Sequence, residues 1–129
     1  MGRSSTVTEG IRVEVESVYV AERSEPSRRL FFFAYQVTLS NEGDLAAQLT
    51  TRHWIITDGE GREEHVHGPG VVGKSPQLLP GESFQYMSYC PLPTPIGSMA
   101  GTYRMVREDG REFDAQIGAF SLEVPGTLN

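Results

Sequence analysis

The chain has 129 residues, with eleven basic and seventeen acidic side chains, a net charge of -6 and one cysteine. That length suits one domain burying roughly two thirds of the surface its unfolded form exposes, so neither a disulfide nor a metal is required for folding. The acidic balance repels a phosphate backbone, which argues against nucleic acid as a partner. No window approaches the roughly 18 apolar residues of a membrane helix, so no membrane association is expected. The lone Cys90 and the opening MGRSSTVTEG, which has no apolar leader, imply a reducing cytoplasmic setting.

Residues 1–10 read as a flexible N-terminal segment, in which Met1-Gly2 and Thr6 fit only a short, loose myristoylation pattern. Residues 11–129 read as a single domain. Period-two alternation dominates it, punctuated by turn signals at short intervals, as in an all-β sandwich. In IRVEVESVYV (11–20), Ile11, Val13 and Val15 share a face. The apolar phase then shifts to Val18 and Val20 past Ser17, which predicts a bulge. LFFFAYQVTL (30–39) is the most apolar run and the candidate central strand, with Phe33, Tyr35, Val37 and Leu39 on one side and Phe32 opposite to Phe31 and Phe33. An outward aromatic at this point is a candidate partner contact.

The turn NEGD (41–44) leads through Leu45, Ala47 and Leu49 to a strand ending at Asp58, where Trp54 and Ile56 anchor the core. Asp58-Gly59-Glu60-Gly61 marks a hairpin whose return strand is REEHVHG. An irregular stretch, 68–83, follows, and FQYMSYC (84–90) resumes alternation with Phe84, Tyr86, Ser88 and Cys90 on one face. Cys90 reads as a small core residue. The segment 91–101, with three prolines and two glycines, reads as a connection, and Leu92, Pro93, Pro95 and Ile96 within it are candidate contacts for a partner. TYRMVRE and EFDAQI form a second hairpin, and a strand from Ala119 to Val124 follows a bulge at Gly118. The sum is seven to eight strands in one sandwich.

Gly68, Gly70 and Gly73 spell GxGxxG, and Gly68 to Gly73-Lys74-Ser75 spell GxxxxGK[ST]. Both patterns hold phosphate by opening a helix, and none can follow here, because Pro76 and Pro80 bracket less than two turns. A candidate ligand loop remains at Gly68, Gly70, Val71, Val72, Gly73 and Lys74, whose successive amides could form a nest for a phosphate-bearing small molecule. Glu63, His65 and His67 alternate along one strand and face the same way, so they could ligate a divalent metal. The plain reading is a solvated strand face, because a further ligand is not evident and the facing of His53 across the hairpin is open. No nucleophile with a base, and no acid–base carboxylate pair, can be argued, so neither a catalytic site nor a cofactor is expected.

HWIITDGEG, GPGVVGKSPQLLPGESFQYMSYCPLPTPIGSMAGTYRM and FDAQIGAFSLEVP together resemble the bacterial ApaG family, from about Ile11 onward. The resemblance implies a fibronectin type III or immunoglobulin-like β-sandwich. It also implies a protein-interaction role, because similar domains are fused to F-box substrate adaptors and occur in a polymerase-interacting protein. The bacterial members lack an assigned biochemical function, and their name is tied to cobalt and magnesium tolerance. Two positions depart from the family pattern. Lys74 stands where an acidic residue is usual, so the Walker-like match looks coincidental, and Tyr89-Cys90 replaces a Thr-Ser-Gly-like segment.

Overall fold

The computed structural model describes residues 2–126. It is an all-β sandwich of nine strands: β1 (Arg3–Thr8), β2 (Ile11–Tyr19), β3 (Phe31–Asn41), β4 (Ala47–Asp58), β5 (Glu63–Pro69), β6 (Gln77–Leu78), β7 (Ser83–Leu92), β8 (Ile96–Arg107) and β9 (Glu112–Glu123). One antiparallel sheet runs β1-β2-β3-β7, and the other runs β5-β4-β8-β9 with β6 added to β4. Alternation puts one side of each strand inward. Ile11, Val13, Val15, Phe33, Val37 and Leu39 from the first sheet meet Leu49, Trp54, Met99, Tyr103, Met105 and Leu122 from the second, all buried. Trp54 packs edge-on against Tyr35, Tyr103 and Phe120 at 5.3–6.1 Å, pairs that each add about 0.5–1.5 kcal/mol beyond area burial.

The sandwich character is as expected, but several boundaries are not. The segment 1–10, expected to be flexible, is ordered in its described part. It supplies β1, paired with β2 over six positions from Arg3↔Glu16 to Thr8↔Ile11. No bulge interrupts β2, whose register with β3 is continuous across Ser17. Ser17 holds the inward phase because its hydroxyl reaches the Ser121 carbonyl at 2.7 Å and accepts from the Gly2 amide at 3.1 Å, while Val18 turns outward. Segment 91–101 is mostly strand, since β7 continues to Leu92 and β8 begins at Ile96. The bulge expected at Gly118 is present opposite Ala100, but β9 runs through it. That merger lowers the expected eight strands to seven, and β1 and β6 raise the number to nine.

The two long sides of the sandwich differ. Along β9 the sheets are laced together by Ser17 to the Ser121 carbonyl and by the Gln116 amide to Thr8 Oγ1 at 3.0 Å. Along the edge strands β5 and β7 a cleft of about 290 Å³ opens between the sheets.

One end is held by a buried polar node. Asn41 Nδ2 donates to the carbonyls of Leu45 and Leu78 at 2.9 Å each, and its Oδ1 accepts from the Gly43 amide and from Arg107 Nη1. Arg107, also buried, donates further to the carbonyls of Leu45 and Glu9. Asn41→Ala should destabilise the protein by about 3 kcal/mol, because two buried carbonyls and part of a guanidinium lose their partners. Urea denaturation measures this; a loss within experimental error would show that water replaces the amide without cost.

Candidate functional site

The glycine loop is a structural cover for β4. Beyond the end of β5, the Gly70 amide donates to the Thr50 carbonyl at 2.9 Å and the Pro76 carbonyl accepts from the Leu49 amide at 3.0 Å, so the loop carries on the pairing of β4. Val71 plugs into the core at 1% exposure. Val71 and Lys74 exchange both backbone hydrogen bonds, at 2.8 and 2.9 Å, around Val72 and Gly73, which both have positive φ (44° and 79°) as a type I′ turn requires. The amides of Gly70, Val71 and Lys74 are therefore committed within the protein. Of the residues expected to form a nest, only Val72 and Gly73 keep amides without a carbonyl partner among the described residues. Lys74 and Ser75 are exposed, and no helix follows them.

Arg52 joins this loop to the inter-sheet cleft. Its Nη1 donates to the carbonyls of Pro69 and Gly70 at 2.9 and 3.0 Å. The cleft beside it is lined by Tyr35, Trp54, Glu64, Ser88 and Cys90. Below lie the hydrogen-bonded hydroxyls of Tyr86 and Tyr103. Burial pushes all three tyrosines above their ordinary value of 10.0. It pushes the Cys90 thiol up to about 12, with Glu64 adding to the rise. Cys90 is thus a protonated core thiol at neutral pH, in keeping with its alternation in the sequence.

The outer face of the second sheet brings together three imidazoles. His53 stands directly opposite His67 in the β4–β5 register, and His65 lies two residues before His67 on the same side. His53 Nε2 and His65 Nδ1 are 2.9 Å apart, the His53 and His67 rings stack at 4.0 Å, and one ligand nitrogen from each ring falls within 4.8 Å of the others. Glu63 Oε1 lies 3.4 Å from His65 Nε2. Partial burial, and then the neighbouring His67 and His65, hold His53 below its ordinary value. An open depression of about 580 Å³ adjoins His53 and His67, walled by Thr102, Arg104 and Asp114.

His53 is the member the sequence left undecided, though a signal was present. Gly59, Glu60 and Gly61 form a three-residue loop closed by the Asp58 amide to the Arg62 carbonyl at 3.0 Å, with Gly61 at φ 84°. Asp58 Oδ1 caps it by accepting from the Glu60 and Arg62 amides. A three-residue loop pairs Thr57 with Glu63 and hence His53 with His67. A two-residue loop would move pairing by one and put His53 on the other side.

The outer face of the first sheet carries aromatic and aliphatic groups. Phe32 points outward, as its alternation with Phe33 allowed, and packs against Tyr89 at 5.5 Å. Arg23 lies over both rings, at 4.3 and 5.2 Å. Val18, Ala34 and Tyr89 form a cross-strand row, and Met87 lies beside it. Val18, Met87 and Tyr89 are each about half exposed. In the 91–101 segment, by contrast, Leu92 is buried and Pro93, Pro95 and Ile96 are half-buried.

This is a fibronectin type III-like β-sandwich with surface chemistry on two outer faces and a narrow polar cleft along one side. Residues 21–107 match the ApaG domain family. The ApaG protein of Anaeromyxobacter dehalogenans strain 2CP-C is 58% identical over 126 residues, 98% of this chain and 99% of that one. The ApaG protein of Bordetella pertussis is 52% identical over 119 residues, covering 92% and 91%. A crystal structure described as the ApaA protein of Bordetella pertussis superposes with a TM-score of 0.88 at 52% identity, over 91% of this chain and 95% of that one. The C-terminal domain of wzt, at 9% identity and a TM-score of 0.54 over 98% and 80%, shares the fold alone. The chain belongs to the ApaG family.

Val72→Asn should stabilise the protein by about 1 kcal/mol, because a β-branched residue at positive φ is strained and Asn suits a type I′ turn; an unchanged urea midpoint would show the strain to be relaxed. Cys90 and the three tyrosines keep protons in the folded state that they release when unfolded near 9.0 and 10.0. Their contribution is fully present below those values and falls as pH rises toward the folded ones. Urea midpoints should therefore hold to about pH 9 and drop steeply by pH 10.5.

Proposed function

We propose that the protein is a non-catalytic interaction module of the cytoplasm that docks a protein partner on the outer face of the β1-β2-β3-β7 sheet. The observation that carries this reading is the patch of Val18, Phe32, Met87 and Tyr89, which folding does not require to be apolar. Three of the six large hydrophobic side chains that stand exposed among the described residues are concentrated there. Side chains of that size on one flat face favour association when another apolar surface covers them, at about 25 cal/mol per Å² removed from water. The rings of Phe32 and Tyr89 already pack together under Arg23, which leaves less side-chain freedom to lose on binding. Tyrosine and arginine are also the residue types that dominate binding energy where they sit central to an interface. The edge strand β7 borders the patch and offers a backbone to which an extended segment could add. An anion-binding role for the loop at 68–74 has less to rest on, since three of its amides are already committed.

Met87→Glu combined with Tyr89→Glu should abolish capture of the partner from native lysate by the tagged protein, by at least tenfold on quantified bands. Its thermal midpoint should stay within a few degrees, because both side chains project from the surface. Full capture by this variant would sink the reading.

A further inference from the structure

We propose that His53, His65 and His67 form a binding site for one divalent first-row transition metal of the zinc type, on the face of the sandwich opposite the aromatic patch. The three are all the histidines the chain has, and the fold gathers them at one point from two strands. Imidazole is a preferred ligand for zinc, copper and nickel and a poor one for magnesium. Metal–nitrogen bonds of about 2.0–2.1 Å in tetrahedral geometry need nitrogens about 3.3 Å apart. The present separations, 2.9 Å for His53 and His65 and at most 4.8 Å overall, reach that once the exposed His67 ring turns out of its stack on His53 so that its lone pair points at the ion.

The hydrogen-bond pattern suits the same use. The facing nitrogens of His53 and His65 stand at hydrogen-bond distance, 2.9 Å, and a metal between them would take a lone pair from each side. Glu63 accepts from His65 Nε2, which leaves Nδ1 directed at the site and makes the ring a better donor, the usual support a carboxylate gives a metal-bound imidazole. Three neutral ligands leave the fourth position to water or a small anion. That position adjoins the depression walled by Thr102, Arg104 and Asp114, where Arg104 is held by Asp114 and Glu112 at 3.3 Å each. The ion would also clamp β5, an edge strand of its sheet, to β4.

Calorimetric titration of the full, tag-free chain with zinc chloride at pH 7.5 tests this. One ion per chain should bind with a micromolar dissociation constant, and magnesium should give no heat. His67→Gln should weaken zinc at least tenfold, and His53→Gln with His65→Gln should abolish the site. Glu63→Gln should weaken it several-fold while keeping one ion per chain. As an independent readout on the unaltered protein, zinc should shift all three imidazole signals in NMR spectra at one equivalent. No zinc binding below 1 mM would overturn the proposal. Affinity changed less than threefold by the histidine substitutions, or zinc that leaves the imidazole signals unmoved, would also overturn it.

Discussion

The carboxamide of Asn41 is where the two sheets are committed to one crossing. It closes β3, and its two donors and one acceptor oxygen serve Leu45 on the way into β4, Leu78 in β6, Gly43 in the turn and Arg107 at the end of β8. Its own backbone pairs with Glu82 and Gly81, which fixes the entry to β7. Arg107 extends the node to Glu9 in the first hairpin. This buried guanidinium is satisfied by neutral oxygens, with no carboxylate paired to it among the described residues, so the node depends on hydrogen-bond geometry. Any other docking of the sheets would strand several polar groups at about 1–3 kcal/mol each. The apolar core tolerates many packings of similar area; the polar node tolerates one.

A second constraint is local and decides the chemistry of the outer face. The β4–β5 hairpin is closed by Asp58 and by the positive φ of Gly61, and the three-residue loop makes the paired positions equal in parity. Parity is what places three imidazoles side by side in place of a histidine pair with a third ring inside the core. The same parity turns Arg52, Trp54 and Ile56 inward with Glu64 and Val66, and so lines the inter-sheet cleft. One loop residue more or fewer would exchange the two faces of β5 relative to β4.

What was legible follows from this physics. Strands whose inward positions are apolar, such as Phe33 to Leu39, could be placed from alternation alone, as could both hairpins from their turn residues. Strands that follow a different rule were missed or misdrawn. β1 is polar apart from Val7 because it covers the edge of β2, so alternation gives it no signal, and it is held by a local hairpin through the tight turn at Glu9-Gly10. Ser17 broke the apolar phase without breaking the strand, since a hydrogen-bonded serine can occupy an inward position. Residues 96–101 look like loop because two glycines follow three prolines, but a strand needs glycine where it presses close: a Cβ on Gly101 would stand 2.0 Å from the His53 carbonyl. His53 itself could be placed only after the loop length was known. Asn41 and Arg107 carry no local signal, because their partners are scattered along the chain.

The same reasoning separates side chains that folding accounts for from those it does not. The glycine loop, the most conspicuous motif in the sequence, is explained by pairing with β4, by the Val71 plug and by Arg52 beneath its carbonyls. Cys90 is explained by the core. The residues left over lie on the outer sheet faces: a half-exposed aliphatic and aromatic patch on one side, three clustered imidazoles on the other. Alternation makes the two sets structurally independent, because each projects away from the core and from the other. Changes in one set share no contact with the other, so their effects on stability should add. Coupling between the two faces would therefore have to travel through the Trp54, Tyr103 and Phe120 packing that lies between them.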